Sequence, residues 1–383
     1  MARMAISDPQ AVAVLAPESF GSVGDQAMLE VMREQLVRHG FKPTFVYLPG
    51  WRKIPLRSAA PHTILNYSTR IPRRRWSTIA RSGAMVLIGA DVVDGSYGRK
   101  LPSRWIAKLG LAQEAGARVG IVSFSVSPEA DPAIVEQLRA TEGFHFTPRD
   151  PVSLARFTRA TGQPATQSAD LAFLLTPELR APHAIEADAW LAARKAAGDT
   201  VMFVNVGGPT LARMPGDGVA VMEDVMRQWL DASAARSIFL VPHDFRPTPY
   251  GDMDALERLL APLVAAFPER VAMLRPPFDA WDVKALCHHA DLALSGRMHL
   301  AIACLGMGVP VVSVVYVGKF EGLMQHFGLA DEDLLIETGV APQADRILAR
   351  IERVTAQRDR LSAIIRSRLD AVKALAARNF DWL

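Results

Sequence analysis

Short apolar runs bounded by Gly, Pro or Asp recur along the chain, and most are separated by segments in which apolar residues return every three or four positions. Buried-strand runs alternating with amphipathic helical segments are the pattern of α/β proteins, where helices cover a largely parallel sheet. In the first half the runs predict strands at 11–15, 43–47, 85–88, 118–124, 143–146 and near 167–170. Helices are predicted between them at 25–39, closed by Gly40, and at 103–115, closed by Gly116. In the second half the strands fall at 201–206, 237–242, 271–274, 292–294 and 311–315, with helices at 218–232, 252–267, 280–288 and 298–305.

The stretch 176–199, with Pro177, Pro182 and an Ala-rich helical piece at 186–197, reads as a linker between the halves. The expectation is therefore two α/β domains of Rossmann type facing across a cleft, at 1–180 and 181–345, with ligands where strand carboxyl ends meet. A final helix at 346–383 carries Ile347, Ile351, Val354, Leu361, Ile365, Leu369 and Val372 along one stripe and is expected to pack back on the body. The longest uncharged run, 300–318, approaches the roughly 20 residues of a bilayer span. Gly306, Gly308, Pro310 and Ser313 interrupt it, so it reads as a buried helix, a turn and a buried strand.

Composition narrows the class. A chain of 383 residues that is 50% apolar and 22% charged can bury two cores, which excludes disordered, collagen-like and coiled-coil proteins. Forty-three basic against 40 acidic residues leave a formal charge of +3, too small for whole-surface binding to nucleic acid. The two cysteines, Cys287 and Cys304, form neither a disulfide framework nor a CxxC pair, which fits a reducing cytoplasm. The N-terminal apolar stretch is short and lacks a cleavage pattern, so it reads as a first strand.

Charge is unevenly placed. No acidic residue lies between Glu34 and Asp91, while Arg73, Arg74, Arg75 and seven other basic residues fall there, with Trp51 and Trp76 among them. Such a block suits an anionic partner, either a membrane surface or a phosphorylated acceptor, or else a solvated basic face.

The strongest local feature is Ser295-Gly296-Arg297-Met298-His299, between a strand and a helix start. Helix N-termini receive anions, a guanidinium adds a forked permanent charge, and an imidazole two residues on can transfer protons. The strand at 311–315 delivers Tyr316 and Lys319 to the same sheet edge. Gly24-Asp25 reads either as a helix cap or as a base, and His243-Asp244 as a ligand contact or a turn. His288-His289 lacks a carboxylate or Cys at ligand spacing on its face, so no metal site is expected. Neither GxGxxG after the first strand nor a Walker A sequence occurs.

Ser295-Gly296-Arg297-x-His299, the apolar helix, Gly308-Val309-Pro310, the strand ending in Tyr316, Lys319 and Gly322-Leu323 together resemble the polysaccharide pyruvyl transferase family in order and spacing. Weaker likenesses are Gly21 to Asp25, Arg149-Asp150-Pro151-Val152-Ser153, Asp170 to Phe173, and Pro242-His243-Asp244. The family's N-terminal Asn is Ser22 here, its Gly-rich stretch is Gly89-Ala90-Asp91, and Gly207-Gly208 stand where members often place an Arg.

The resemblance implies a GT-B-like pair of domains, with the acceptor on the N-terminal side, the donor on the C-terminal side, and no obligatory metal or cofactor. Its chemistry is transfer of pyruvate from phosphoenolpyruvate to two hydroxyls of a sugar in a surface-polysaccharide or glycolipid precursor. In that frame His299 is the acid and Asp25 the base. Ser295, Gly296, Arg297, Met298, Tyr316, Lys319 and His243 hold the donor, with Arg246 supplying the missing charge. Gly24, Asp25, Arg73, Arg74 and Arg75 meet an acceptor carried on a lipid diphosphate or nucleotide, in the cytoplasm and in peripheral contact with the inner membrane face. The alternatives are a nucleotide-sugar glycosyltransferase and a non-catalytic member that binds a glycan intermediate.

Overall fold

The computed structural model describes residues 8–17, 21–47, 63–66, 82–315, 318–339 and 343–383. The chain divides into two compact units: Met1–Gly21, Asp25–Leu174 and Val372–Leu383 in the first, Ser22–Gly24 and Leu175–Ala371 in the second. The division after Leu174 precedes the boundary expected at 180. Residues 346–383, expected as a helix packing back on the body, are divided between the units at Val372.

The first unit holds β1 (Asp8–Leu15), β2 (Lys42–Tyr47), β3 (Thr63–Asn66), β4 (Ser82–Ala90), β5 (Arg118–Phe124) and β6 (His145–Pro148), in the order β3-β2-β1-β4-β5-β6. All of its ladders are parallel. Every residue of β4 is buried, as expected of a parallel strand covered on both faces. Phe124, Phe146 and Phe157 pack edge-on or tilted in the core below, with centroids 4.7 to 6.5 Å apart. Helices Pro132–Arg139 and Pro151–Thr161 both start at an Asp cap followed by Pro, Asp131 accepting from Ala133 N and Asp150 from Ser153 N.

The expected strand at 167–170 is absent. Thr166 N and Ser168 N donate to Phe146 O and Pro148 O, but the segment then turns into a 3-10 helix at Leu171–Leu174. Asp170 explains the departure, because its side chain is committed to Arg149 and to Ala172 N. β3 was not anticipated at all.

The second unit holds β7 (Thr200–Asn205), β8 (Arg236–Leu240), β9 (Val271–Met273), β10 (Leu292–Ser295), β11 (Val311–Val315) and β12 (Leu335–Glu337), in the order β12-β11-β10-β7-β8-β9. These ladders are also parallel. Counted within each unit, both sheets follow the order 3-2-1-4-5-6, in which the first and fourth strands are neighbours and leave a crevice at their carboxyl ends. In the second unit that switch point lies between β7 and β10.

The run 300–318 resolves as expected into helix Met298–Leu305 and β11, and its residues 316–317 lie outside the described set. Among the described residues no helix is long and apolar enough to cross a membrane. The last helix, Gln343–Ala377, is anchored in the second unit by Glu352 on Arg236 and by Thr355, which accepts from Trp229 Nε1. Residues beyond it serve the first unit. Asn379 accepts from Ser123 N and Thr147 Oγ1 and donates to Ala169 O, and Trp382 stacks on His145.

Candidate active site

β7 ends at Asn205 and β10 at Ser295, side by side in register, and the site grows from this switch point. Gly296 N donates to Asn205 O at 2.8 Å, tying the two strand ends together. Ser295 Oγ donates to Arg297 O and accepts from Arg297 N, at 2.7 and 3.1 Å, which closes the turn into helix Met298–Leu305. Arg297 stands at the N-cap of that helix, its side chain making no cap bond.

Two carboxylates hold the Arg297 side chain. Asp252, fully buried, accepts from Arg297 Nε and Nη2 through Oδ1, at 3.0 and 2.7 Å. Asp244 approaches Arg297 Nη1 at 3.4 Å and accepts from Arg246 Nη2 at 2.6 Å. The carbonyl of Tyr250 also accepts from Arg297 Nη2. Arg246 therefore joins the cluster, with Asp244 facing both guanidiniums. The four charges balance, so this cluster by itself presents no net positive charge to an anion.

Gly207 makes room for the arrangement, since a Cβ there would lie 2.6 Å from Arg297 Nε and 2.8 Å from Asp252 Oδ1. A side chain at this point would displace the Arg297–Asp252 pair.

His243 is buried, its N–H donating to Asp252 Oδ2 at 2.8 Å and its carbonyl accepting from Val23 N at 3.0 Å. Among the described residues neither of its ring nitrogens has a hydrogen-bond partner. Burial, and then repulsion from His299 and Arg297, hold its pKa well below the ordinary imidazole value, so the ring is neutral. His299 follows on the helix, half-buried. Its ring lies against the Ser22–Gly24 segment of the same unit, where a Cβ on Gly24 would come within 2.0 Å of His299 Cγ. Ser22 bridges to Asp244. Gly24 is thus a point of close approach to the imidazole.

The remaining expected residues divide. Asp25 is buried in the first turn of helix Val23–Arg38, which starts too early for Asp25 to be its cap. Lys319 is buried beyond the end of β11, the parallel neighbour of β10. Met298 opens the helix after Arg297. Tyr316, Arg73, Arg74 and Arg75 lie outside the described residues.

Two motif segments prove structural. Arg149 donates to Asp170 Oδ2 at 2.8 Å and to Ser125 Oγ at 2.7 Å, deep in the first unit. Burial alone would lower the Arg149 pKa, but Asp170, Asp91 and Asp150 outweigh it and raise the value. Asp150 and Ser153 form the cap of the helix that follows.

Asp252 was missed. A helix-opening Asp reads as a cap, yet its side chain makes no cap bond and instead binds Arg297, His243 N and Asn205 Nδ2. Only the spatial meeting of β7, β8 and β10 shows this role.

Parallel sheets of this order in two α/β units, with a long C-terminal helix, make a GT-B-like fold. The model of the family "Polysaccharide pyruvyl transferase" matches residues 23–317, and the chain belongs to that family. No curated protein matches the chain. Among solved structures it is similar to a glycosyltransferase from Rickettsia africae ESF-5, with 9% identity, 97% of each chain covered and a TM-score of 0.57. It is also similar to UDP-GlcNAc 2-epimerase from Methanocaldococcus jannaschii, at 10% identity, 89% and 91% coverage and a TM-score of 0.55. The S. aureus MnaA-UDP co-structure matches at 11% identity, 93% and 90% coverage and a TM-score of 0.60. These identities speak for the fold alone.

Proposed function

We propose that the chain transfers pyruvate from phosphoenolpyruvate onto two hydroxyls of one sugar in a surface-polysaccharide or glycolipid precursor, leaving a cyclic ketal and inorganic phosphate. The observation that carries this reading is the Arg297–His299 pair at the β7/β10 switch point, inside the span matched by the family. Arg297 and the first amides of its helix meet the donor's carboxylate and phosphate. His299, held against Gly24, gives its proton to the methylene carbon, which becomes the methyl group, as one sugar hydroxyl bonds to the central carbon. The second hydroxyl then attacks the same carbon and the bond to phosphate breaks. Asp25 takes the proton of one hydroxyl and gives it up to solvent, from which His299 is reprotonated, and the proton of the other leaves with the phosphate. Asp25 is the base in this reading, and Lys319 and Arg246 stabilise the departing phosphate.

The acceptor is a sugar on a lipid diphosphate or a nucleotide, used on the cytoplasmic side of a membrane, and the basic block around Arg73 to Arg75 is the surface for its carrier. The test is thermal unfolding of the full chain with phosphoenolpyruvate against a panel of nucleotide sugars, repeated in Arg297→Ala. Stabilisation by phosphoenolpyruvate that disappears in the variant supports the donor and its clamp. Stabilisation by a nucleotide sugar alone overturns the donor and favours glycosyl transfer on the same fold.

A further inference from the structure

Asp188, on helix Pro182–Ala196, and His288 with His289, in the 3-10 turn Cys287–His289, meet in the second unit. One ligand atom from each lies within 4.8 Å of the other two. His289 Nε2 is 2.8 Å from Asp188 Oδ1, and the two imidazole rings are 3.7 Å apart between centroids. The carboxylate that the sequence seemed to lack at ligand spacing comes from 101 residues away.

We propose that these three side chains form a site for a borderline divalent transition metal, Zn²⁺ being the ion that two imidazoles and a carboxylate suit. Each ligand is prepared for it. His288 Nδ1 donates to Ala285 O at 2.6 Å, a bond that fixes the tautomer and leaves Nε2 with its lone pair. His289 is buried, with its Nε2 already turned to Asp188 Oδ1 at 2.8 Å. Lys195, the nearby cation, is engaged by Asp291 at 2.6 Å. His288 is exposed, which gives the ion a path from solvent and leaves its outer coordination to water.

The turn precedes β10, whereas Arg297 follows it, so the length of the strand, roughly 13 Å for its four residues, separates the two places. The ion therefore takes no part at Arg297 and His299. It staples helix Pro182–Ala196 to the start of β10. A plain His289–Asp188 ion pair would explain the shortest contact but would give His288 no part.

The experiment is calorimetric titration of the chelator-treated full chain with ZnCl2 and, separately, MgCl2, with Co²⁺ absorption as a second readout. Wild type is expected to bind one equivalent of Zn²⁺ with a rise in melting temperature. His288→Ala, at an exposed position that tolerates truncation, and Asp188→Asn are each expected to weaken binding about tenfold or more, and Arg297→Ala to leave it unchanged. No stoichiometric Zn²⁺ binding by the wild type, binding unchanged in both variants, or preference for Mg²⁺ would each overturn the site.

Discussion

Arg297 and Asp252, 45 positions apart in the chain, meet at two points on a single carboxylate oxygen, Nε and Nη2 both donating to Oδ1. The other oxygen accepts from Asn205 Nδ2 and from His243 N, each at 2.8 Å. One buried side chain thus fixes the guanidinium, the end of β7 and the residues after β8 together. Removing it leaves Arg297 and two further donors without their acceptor. Asp252→Ala is expected to lower unfolding free energy by about 3 kcal/mol, read by urea denaturation. Asp252→Asn should cost less stability, and because it leaves the Arg297–Arg246 cluster with one net positive charge it should preserve or strengthen the protection by phosphoenolpyruvate; loss of that protection would show that the carboxylate is needed to aim the guanidinium.

The close approach of Gly24 to His299 predicts a separate effect. Gly24→Ala forces the imidazole out of place and should reduce turnover about a hundredfold, measured as phosphate release, with donor binding little changed. His299→Ala should abolish turnover and also spare donor binding. Full activity in either variant would remove His299 from the reaction.

Neutral, buried His243 makes stability depend on pH. Its folded pKa lies below the unfolded value of 6.5, so the unfolded chain binds more protons as pH falls. The contribution is intact above pH 6.5 and is lost below it, by up to about 1.4 kcal/mol per pH unit. His145 and His289 are shifted the same way, chiefly by burial. His243→Asn should flatten the decline between about pH 6.5 and 5 in denaturant titrations; an unchanged slope would show that the ring is not held neutral.

Arg149 and Asp170 make a buried pair in the first unit, with side chains 2% and 3% exposed. Arg149→Ala strands a carboxylate and should destabilise the protein by about 3 to 5 kcal/mol. Donor binding, judged by the stabilisation that phosphoenolpyruvate still gives, should persist. Its loss in a folded variant would place Arg149 in the donor site.

Much of the fold was legible because parallel strands buried on both faces leave continuous apolar runs. β5, β11 and helix Met298–Leu305 begin and end where the pattern changes. β3 and β12, four and three residues long, are too short to leave a period and take their identity from their neighbours. Of the site, the Arg297–His299 turn could be read because it is local. The carboxylates that hold Arg297 could not, since Asp252 carries the signature of a cap and its partners lie on three other strand ends. Asp188 escaped for the same reason, being distant in the chain from the histidines it meets.

Asn379 ties Ser123 on β5 to Thr147 on β6 and to the carbonyl of Ala169. During synthesis those strands leave the ribosome long before the residue that joins them. The first half of the chain therefore emerges with an incomplete core, and its last hydrogen bonds wait until the second unit has been translated. Assembly order in this protein is set by a thread that returns, and a nascent chain arrested before Asn379 should stay open to proteases around β5 and β6.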